Sequence, residues 1–427
     1  MQARLYCLLI IFGLVLSACG GNAPNPGLDA YASTPQAGQP TQGQTQGLES
    51  GSISNGCTVQ SPRPTPGPTE VSLFPPVTGA DWVRGPEEAP VTILAYSDFE
   101  CESCARLAAM LEEVQSEFPD QVRFVFRHLP LTGTEEKPFH EKAALAAQAA
   151  EAAGEQGKFW EMHDLLFERQ GEWIQLEPAE FEEWLGEQAG ELDLDGEQFR
   201  ADLTAEVNVE EIQAAWERAL SIGMLSAPFI LVNGQIWPSD MPLSQSTLEG
   251  LVRLNLLEGR QFTTCPPMEI DPDGQYTATI QTEHGDIVIG LFADKAPIAV
   301  NNFVFLARQG WFDGVTFHRV LPGFMAQAGD PSGTGFGGPG YAFVNEDTGI
   351  KFDRPGLVAM ANAGADTNGS QFFITYGPAS HLDGGYTIFG EVLRGMEVVE
   401  KLAPRNPEQS PDLPPGDQIL GVTITEK

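Results

Sequence analysis

A chain of 427 residues is too long for one ordinary domain and implies two or three. Its 42% hydrophobic content can bury cores, while 23 Lys and Arg against 59 Asp and Glu leave a formal net charge of −36. That balance argues against nucleic acid, and against adhesion to anionic lipid through basic patches, because either surface would repel it.

In chain order, Arg4 precedes an apolar run over residues 5–16 that is too short to span a membrane comfortably and has the proportions of a secretory signal. Leu16-Ser17-Ala18-Cys19-Gly20 follows and resembles the lipobox of bacterial lipoproteins. The resemblance implies a signal peptide over residues 1–18, lipid on the Cys19 sulfur, and a protein held to a membrane outside the cytoplasm. An uncleaved N-terminal anchor is the alternative. Residues 19–69 are rich in Gly, Pro, Gln, Ser and Thr, cannot bury enough apolar surface to offset their ordering entropy, and read as a flexible tether.

The first folded region is expected over residues 70–262. Residues 90–99 form a β-rich apolar run, and Cys101-Glu102-Ser103-Cys104 follows directly, leading into a helical stripe at Leu107, Leu111, Val114 and Phe118. Cys101 therefore sits at a helix N-terminus, where unpaired amides and the helix dipole stabilise a thiolate, and Cys104 is its resolving partner. Glu102, one residue away, is expected to push the thiol pKa up. A second strand lies at residues 122–127, and an acidic helical stretch runs from Phe139 to about Leu220. Residues 227–234 return to a strand with an Asn-Gly turn, and residues 248–257 read as a last helix.

That order resembles the DsbA-like branch of the thioredoxin-fold family, an α/β fold with a helical insertion. The resemblance implies that Pro228 is the cis-proline facing the cysteines and that its neighbouring backbone pairs with substrate. A static disulfide is the duller alternative. Zinc lacks support, because no second CxxC or clustered His accompanies the pair. Cys7 leaves with the signal and Cys19 carries lipid, so Cys57 and Cys265 remain, flanking the domain. They are expected to form a disulfide between tether and linker, as suits an oxidising compartment.

Residues 263–274 read as a linker, and residues 275–427 as the second domain. Segments at 276–282 and 286–292 suggest a hairpin around His284-Gly285, and residues 300–308 a helix stopped near Gly310. Then come three blocks. Phe317-His318-Arg319-Val320-Leu321-Pro322-Gly323-Phe324-Met325-Ala326-Gln327 places a guanidinium, an amide and large apolar groups around a Pro-Gly turn. Met360-Ala361-Asn362-Ala363-Gly364 with Asn368-Gly369-Ser370-Gln371-Phe372-Phe373, and His381-Leu382-Asp383-Gly384-Gly385-Tyr386, add more of the same chemistry.

Together the blocks resemble the cyclophilin family of peptidyl-prolyl cis-trans isomerases, which implies a closed β-barrel with covering helices. Carried over residue by residue, Arg319 is the catalytic guanidinium and Gln327 its supporting amide. Phe324, Met325, Phe373 and Leu382 wall a proline pocket, and Ala361, Asn362 and Gln371 line the flanking groove. At the rim, His381 stands where many members carry Trp, and Tyr386 where many carry His. The residue types suit the reaction. An X-Pro bond rotates over roughly 18–20 kcal/mol because amide resonance resists twisting, and a fixed Arg that hydrogen-bonds the prolyl nitrogen favours the twisted state.

Other motifs lead nowhere. Residues 333–338 match GxGxxG, but Pro339 and Gly340 follow instead of a helix that could hold a pyrophosphate. His140-Glu141 lacks the second His of a zinc-protease motif, and His128, His163 and His318 read as structural. The expectation is a lipid-anchored folding factor that needs no cofactor and acts on partly folded polypeptides with an unidentified redox partner. Two rivals stand beside it: a tethered peptide-binding chaperone with little turnover, and a disulfide oxidoreductase whose second domain recruits substrates.

Overall fold

Val, Ile and Phe gather in two sets of short segments, and each set builds its own sheet. The computed structural model describes residues 56–60, 73–134, 137–238, 241–410 and 413–427. The expected signal peptide, Cys19 and most of the tether lie outside them.

The first segments are β1 (Cys57–Val59), β2 (Trp82–Arg84), β3 (Val91–Ser97), α1 (Glu102–Glu117) and β4 (Val122–His128). Helices α2 (Ala143–Gly154), α3 (Phe159–Glu168), α4 (Gln170–Trp173), α5 (Pro178–Glu191), α6 (Gly196–Leu203) and α7 (Glu206–Ser221) follow. Then come β5 (Phe229–Val232), β6 (Gln235–Ile236) and α8 (Gln245–Leu257). Strands β2-β4-β3-β5-β6 make one five-stranded sheet, with β3 and β4 parallel and joined through α1. The stripe read from sequence faces that sheet, with Leu107, Leu111 and Val114 buried. The six helices between β4 and β5 form the expected insertion. In α2, seven alanines are buried, and side chains that small let neighbouring helices approach on nearly every side.

The second sheet uses β7 (Tyr276–Thr282), β8 (Gly285–Leu291), β9 (Arg319–Leu321), β10 (Met325–Ala328), β12 (Leu357–Met360), β13 (Phe372–Thr375), β14 (Ile388–Arg394) and β15 (Ile419–Glu426). Its order is β9-β10-β13-β12-β14-β8-β7-β15, antiparallel throughout. The closed barrel expected from the sequence is not a continuous ladder among the described residues. Edge strands β9 and β15 meet only through an isolated bridge between Thr316 and Gln418 just ahead of them. Helix α9 (Pro297–Arg308) is buried almost all round, and Phe303 packs against Phe312, Phe372 and Phe389. It starts earlier than its apolar stripe suggested, because Pro297 opens it and the distant Glu346 carboxylate accepts the Ile298 and Ala299 amides.

The two halves share more than a linker. Leu257, in the last turn of α8, is buried in the core of the second sheet. The Phe262 amide donates to the Pro339 carbonyl at 2.8 Å, and the Gln261 side chain to the Gly338 carbonyl at 3.0 Å. A Cβ on Gly337 would overlap the Asp330 carboxylate and come within 2.7 Å of Leu257, so only glycine permits this approach. From the other end, β1 pairs antiparallel with β11 (Tyr341–Phe343), and Cys57 is disulfide-bonded to Cys265 across 208 residues.

Because Leu257 fills the second core from outside its own sheet, Leu257→Ala should destabilise the isomerase-like half by about 2–5 kcal/mol in urea unfolding. An unchanged unfolding midpoint would show the contact to be idle.

Candidate functional site

The first candidate site is built by a helix start. Cys101 caps α1, and its sulfur accepts the Cys104 amide at 3.3 Å and lies 3.1 Å from the Ser103 hydroxyl. It also lies 3.5 Å from the Ala227 carbonyl, immediately before the cis Ala227–Pro228 peptide. The structure therefore brings Cys101, Cys104 and Pro228 together. Both cysteines are free and buried, Cys104 almost completely. Hydrogen bonding from the Cys104 side chain, joined against burial by Ser103 and the Cys104 amide, lowers the Cys101 pKa to about 6. Burial drives Cys104 strongly the other way. One sulfur is thus poised to attack at neutral pH while the other stays protonated.

Glu102 is not among the principal groups acting on the Cys101 sulfur. Its carboxylate points outward into an ion pair with Arg106 at 2.6 Å, while the sulfur's hydrogen bonds dominate its titration. Sequence reading also missed Asp98 and His140. Asp98 is fully buried and accepts the Leu131 amide and the His140 ring nitrogen at 2.7 and 2.8 Å. Burial would depress the His140 pKa, but the Asp98 carboxylate outweighs it and holds that pKa up. Forty-two residues separate the two, so no local pattern announces them. Among the described residues, no three His, Cys, Asp or Glu side chains are arranged to hold a metal ion.

The second site is a cavity of about 550 Å³ on the second sheet. Arg319 on β9 stands opposite Gln327 on β10, across a tight turn in which Gly323 adopts φ +79° and Phe324 N–H donates to the Leu321 carbonyl. Phe324, Met325, Phe373 and Leu382 line the cavity together with Ala361, Asn362 and Tyr386. Phe373 is held from two sides, stacked on Phe352 and met edge-on by Tyr386. His381, exposed at the surface, and Gln371 lie outside the lining. The His381 ring lies 5.4 Å from Phe324, and the Gln371 amide donates to the Gly335 and Gly337 carbonyls while accepting from Gln327 at 2.9 Å. Gln327 thus braces Gln371, and Arg319 is tied instead to Glu408 at 3.3 Å. The Arg319 Nε is buried without a hydrogen-bond partner among the described residues.

Three contributors escaped the motif reading. His318 is buried, its two ring nitrogens lack hydrogen-bond partners among the described residues, and burial lowers its pKa. The stretch Thr334, Gly335 and Phe336 lines the cavity from the glycine-rich loop dismissed above, and Pro407 with Glu408 arrives from a C-terminal stretch that carries no motif.

Two family models match the chain. One, described as cyclophilin type peptidyl-prolyl cis-trans isomerase/CLD, spans residues 277–424, and one, described as thioredoxin, spans residues 77–253. The Mycobacterium tuberculosis protein named Peptidyl-prolyl cis-trans isomerase A is 47% identical over 160 residues, covering 33% of this chain and 88% of that protein. A probable isomerase A of Mycobacterium leprae is 52% identical over 132 residues, covering 27% and 72% respectively. Peptidyl-prolyl cis-trans isomerase-like 2 of Cryptococcus neoformans is 45% identical over 156 residues, covering 35% of this chain and 27% of that protein.

Alkylation of Cys101 should reach half its maximal rate near pH 6, and Cys104→Ala should move that midpoint upward by removing the principal donor. A wild-type midpoint near that of a free thiol, about 8.5, would contradict this electrostatic picture.

Proposed function

Since this chain belongs to the cyclophilin-type peptidyl-prolyl cis-trans isomerases, we propose that it isomerises X-Pro bonds in unfolded or partly folded polypeptides outside the cytoplasm. We further propose that its thioredoxin-like half exchanges disulfides on the same clients. The observation that carries the first reading is Arg319 at the lip of an apolar cavity walled by Phe324, Met325, Phe373 and Leu382.

The walls take the pyrrolidine ring out of water, and each fully buried apolar side chain contributes roughly 1.5–3 kcal/mol of hydrophobic stabilisation. Held there, the prolyl nitrogen loses resonance as the bond twists, and its lone pair becomes an acceptor. A guanidinium fixed on a strand, donating to that lone pair, binds the twisted state more tightly than either planar one. No proton is transferred and no bond is broken. The Gln327–Gln371 pair holds the wall opposite Arg319, so the ring and the donor keep their separation during rotation.

For the other half, a DsbA-like oxidoreductase is the finer reading. It is supported by an attacking Cys101 at a helix start, a protonated Cys104, and a cis-proline whose preceding carbonyl faces the sulfur. Exchange would proceed by attack of the Cys101 thiolate on a client disulfide, followed by release of the mixed disulfide by Cys104. Placing both activities on one chain raises each one's effective concentration at a shared client. The extracytoplasmic, lipid-anchored location rests on the run at residues 5–16 and the Cys19 sequence. No described helix is long and apolar enough to cross a membrane.

Arg319→Ala should lower kcat/KM for a proline-containing test peptide by about 10²–10³, the usual loss for one transition-state donor, with peptide affinity largely kept. Binding without turnover in both proteins would point to a peptide-holding chaperone. For the anchor, radiolabelled palmitate should enter the wild-type protein in a lipoprotein-processing bacterium and not Cys19→Ser. Equal labelling would refute lipidation at that residue.

A further inference from the structure

Beside the proline pocket, the cavity has a side that the isomerisation chemistry leaves unused. It is made by Thr334, Gly335 and Phe336 from the glycine-rich loop and by Pro407 and Glu408 from the C-terminal stretch. Phe336 is 80% exposed, yet its backbone is pinned on both sides. The Gly335 and Gly337 carbonyls accept from Gln371, their amides donate to Asp330, and the Phe336 amide donates to Thr334. The ring is thus held at the cavity mouth by a rigid loop and has no core to enter. Glu408 is likewise anchored through its chain. Arg405 and Val320 exchange backbone hydrogen bonds at 2.8 and 2.9 Å, which fastens this stretch to the strand carrying Arg319, and the Glu408 amide donates to Asn406. Its carboxylate, 72% exposed, contacts the Arg319 Nη2.

We infer that Glu408 and Phe336 form a subsite selecting a basic side chain, Lys or Arg, close in sequence to the proline being isomerised. This rests on the isomerase reading above and names the substrate class for that site. A carboxylate and an aromatic face at one mouth suit a cation, which can pair with the first and lie over the second. The position of Glu408 adds a second reason. Its carboxylate engages the guanidinium that must reach the prolyl nitrogen. A substrate cation draws the carboxylate toward itself and frees Arg319, and because Glu408 is exposed, moving it costs little. An acidic substrate side chain does the reverse, meeting repulsion from Glu408 and competing for Arg319. Both effects therefore favour basic over acidic peptides.

The test uses the whole chain and peptides with one Ala-Pro bond, carrying Lys, Ala or Glu in turn at each of the two positions before and after the proline. At one of those positions kcat/KM should favour Lys over Glu by about fivefold, the size expected for an exposed ion pair with a cation–π contact. The preference should shrink in 1 M salt, survive Glu408→Asp, fall to near unity in Glu408→Gln and weaken in Phe336→Ala. A flat series with brisk turnover, or a preference that persists in Glu408→Gln, overturns the subsite. If no peptide is turned over, the isomerase reading fails instead. The subsite is then judged by peptide affinities from fluorescence anisotropy, which must follow the same charge order or the inference falls.

Discussion

The isomerase-like site hangs on one side-chain amide. Gln371, just ahead of β13, accepts from Gln327 on β10 and donates to two carbonyls of the glycine-rich loop, so three separate segments meet at a single planar group. An amide can do this because its oxygen accepts while its nitrogen donates twice, in directions fixed by the plane. The strand pair that carries Arg319, the pocket wall and the mouth inherit their spacing from it. A carboxylate could take only the bond from Gln327 and would repel the two carbonyls, and an aliphatic side chain would leave all three partners unmet. The loop carrying Phe336 is therefore part of the site's frame, although its glycines had suggested a nucleotide motif with no helix to complete it.

What could be read in advance follows the range of the interaction. The pocket walls were legible because Phe324 closes a tight turn and Met325 and Phe373 sit on short strands, features encoded within a few residues. The placing of Cys101 at a helix start was legible for the same reason, since a helix start is a local event. Asp98 with His140, and Arg319 with Glu408, were not. Each pair is made by topology, and no spacing rule links a buried carboxylate after β3 to a histidine beyond β4. Glu102 shows the limit of proximity in sequence: it lies next to Cys101, but the helix turns its side chain toward Arg106 and water.

The division into halves tells a similar story. Composition placed a boundary at residues 262 and 263, and the Pro-rich stretch beyond it does lack helix and strand. Yet the last turn of α8 contributes Leu257 to the second core, and the following residues hydrogen-bond to residues 338 and 339. A linker's residue types describe its own backbone preferences and say nothing of the surface it lies on. In the same way, three residues ahead of the first sheet add a strand to β11, a pairing invisible in a segment too short to show alternation.

The sulfur bridge between Cys57 and Cys265 also decides how the molecule carries load. A pull on the chain ahead of Cys57 passes through that bridge to Cys265, just ahead of the second sheet, and the 207 residues between the two cysteines lie outside the path of the force. Tension that would strip β2 or unravel α1 in an open chain is shunted around them. The thioredoxin-like half hangs as a closed loop beside the line of pull, its cysteine geometry mechanically insulated for as long as the bridge stays oxidised.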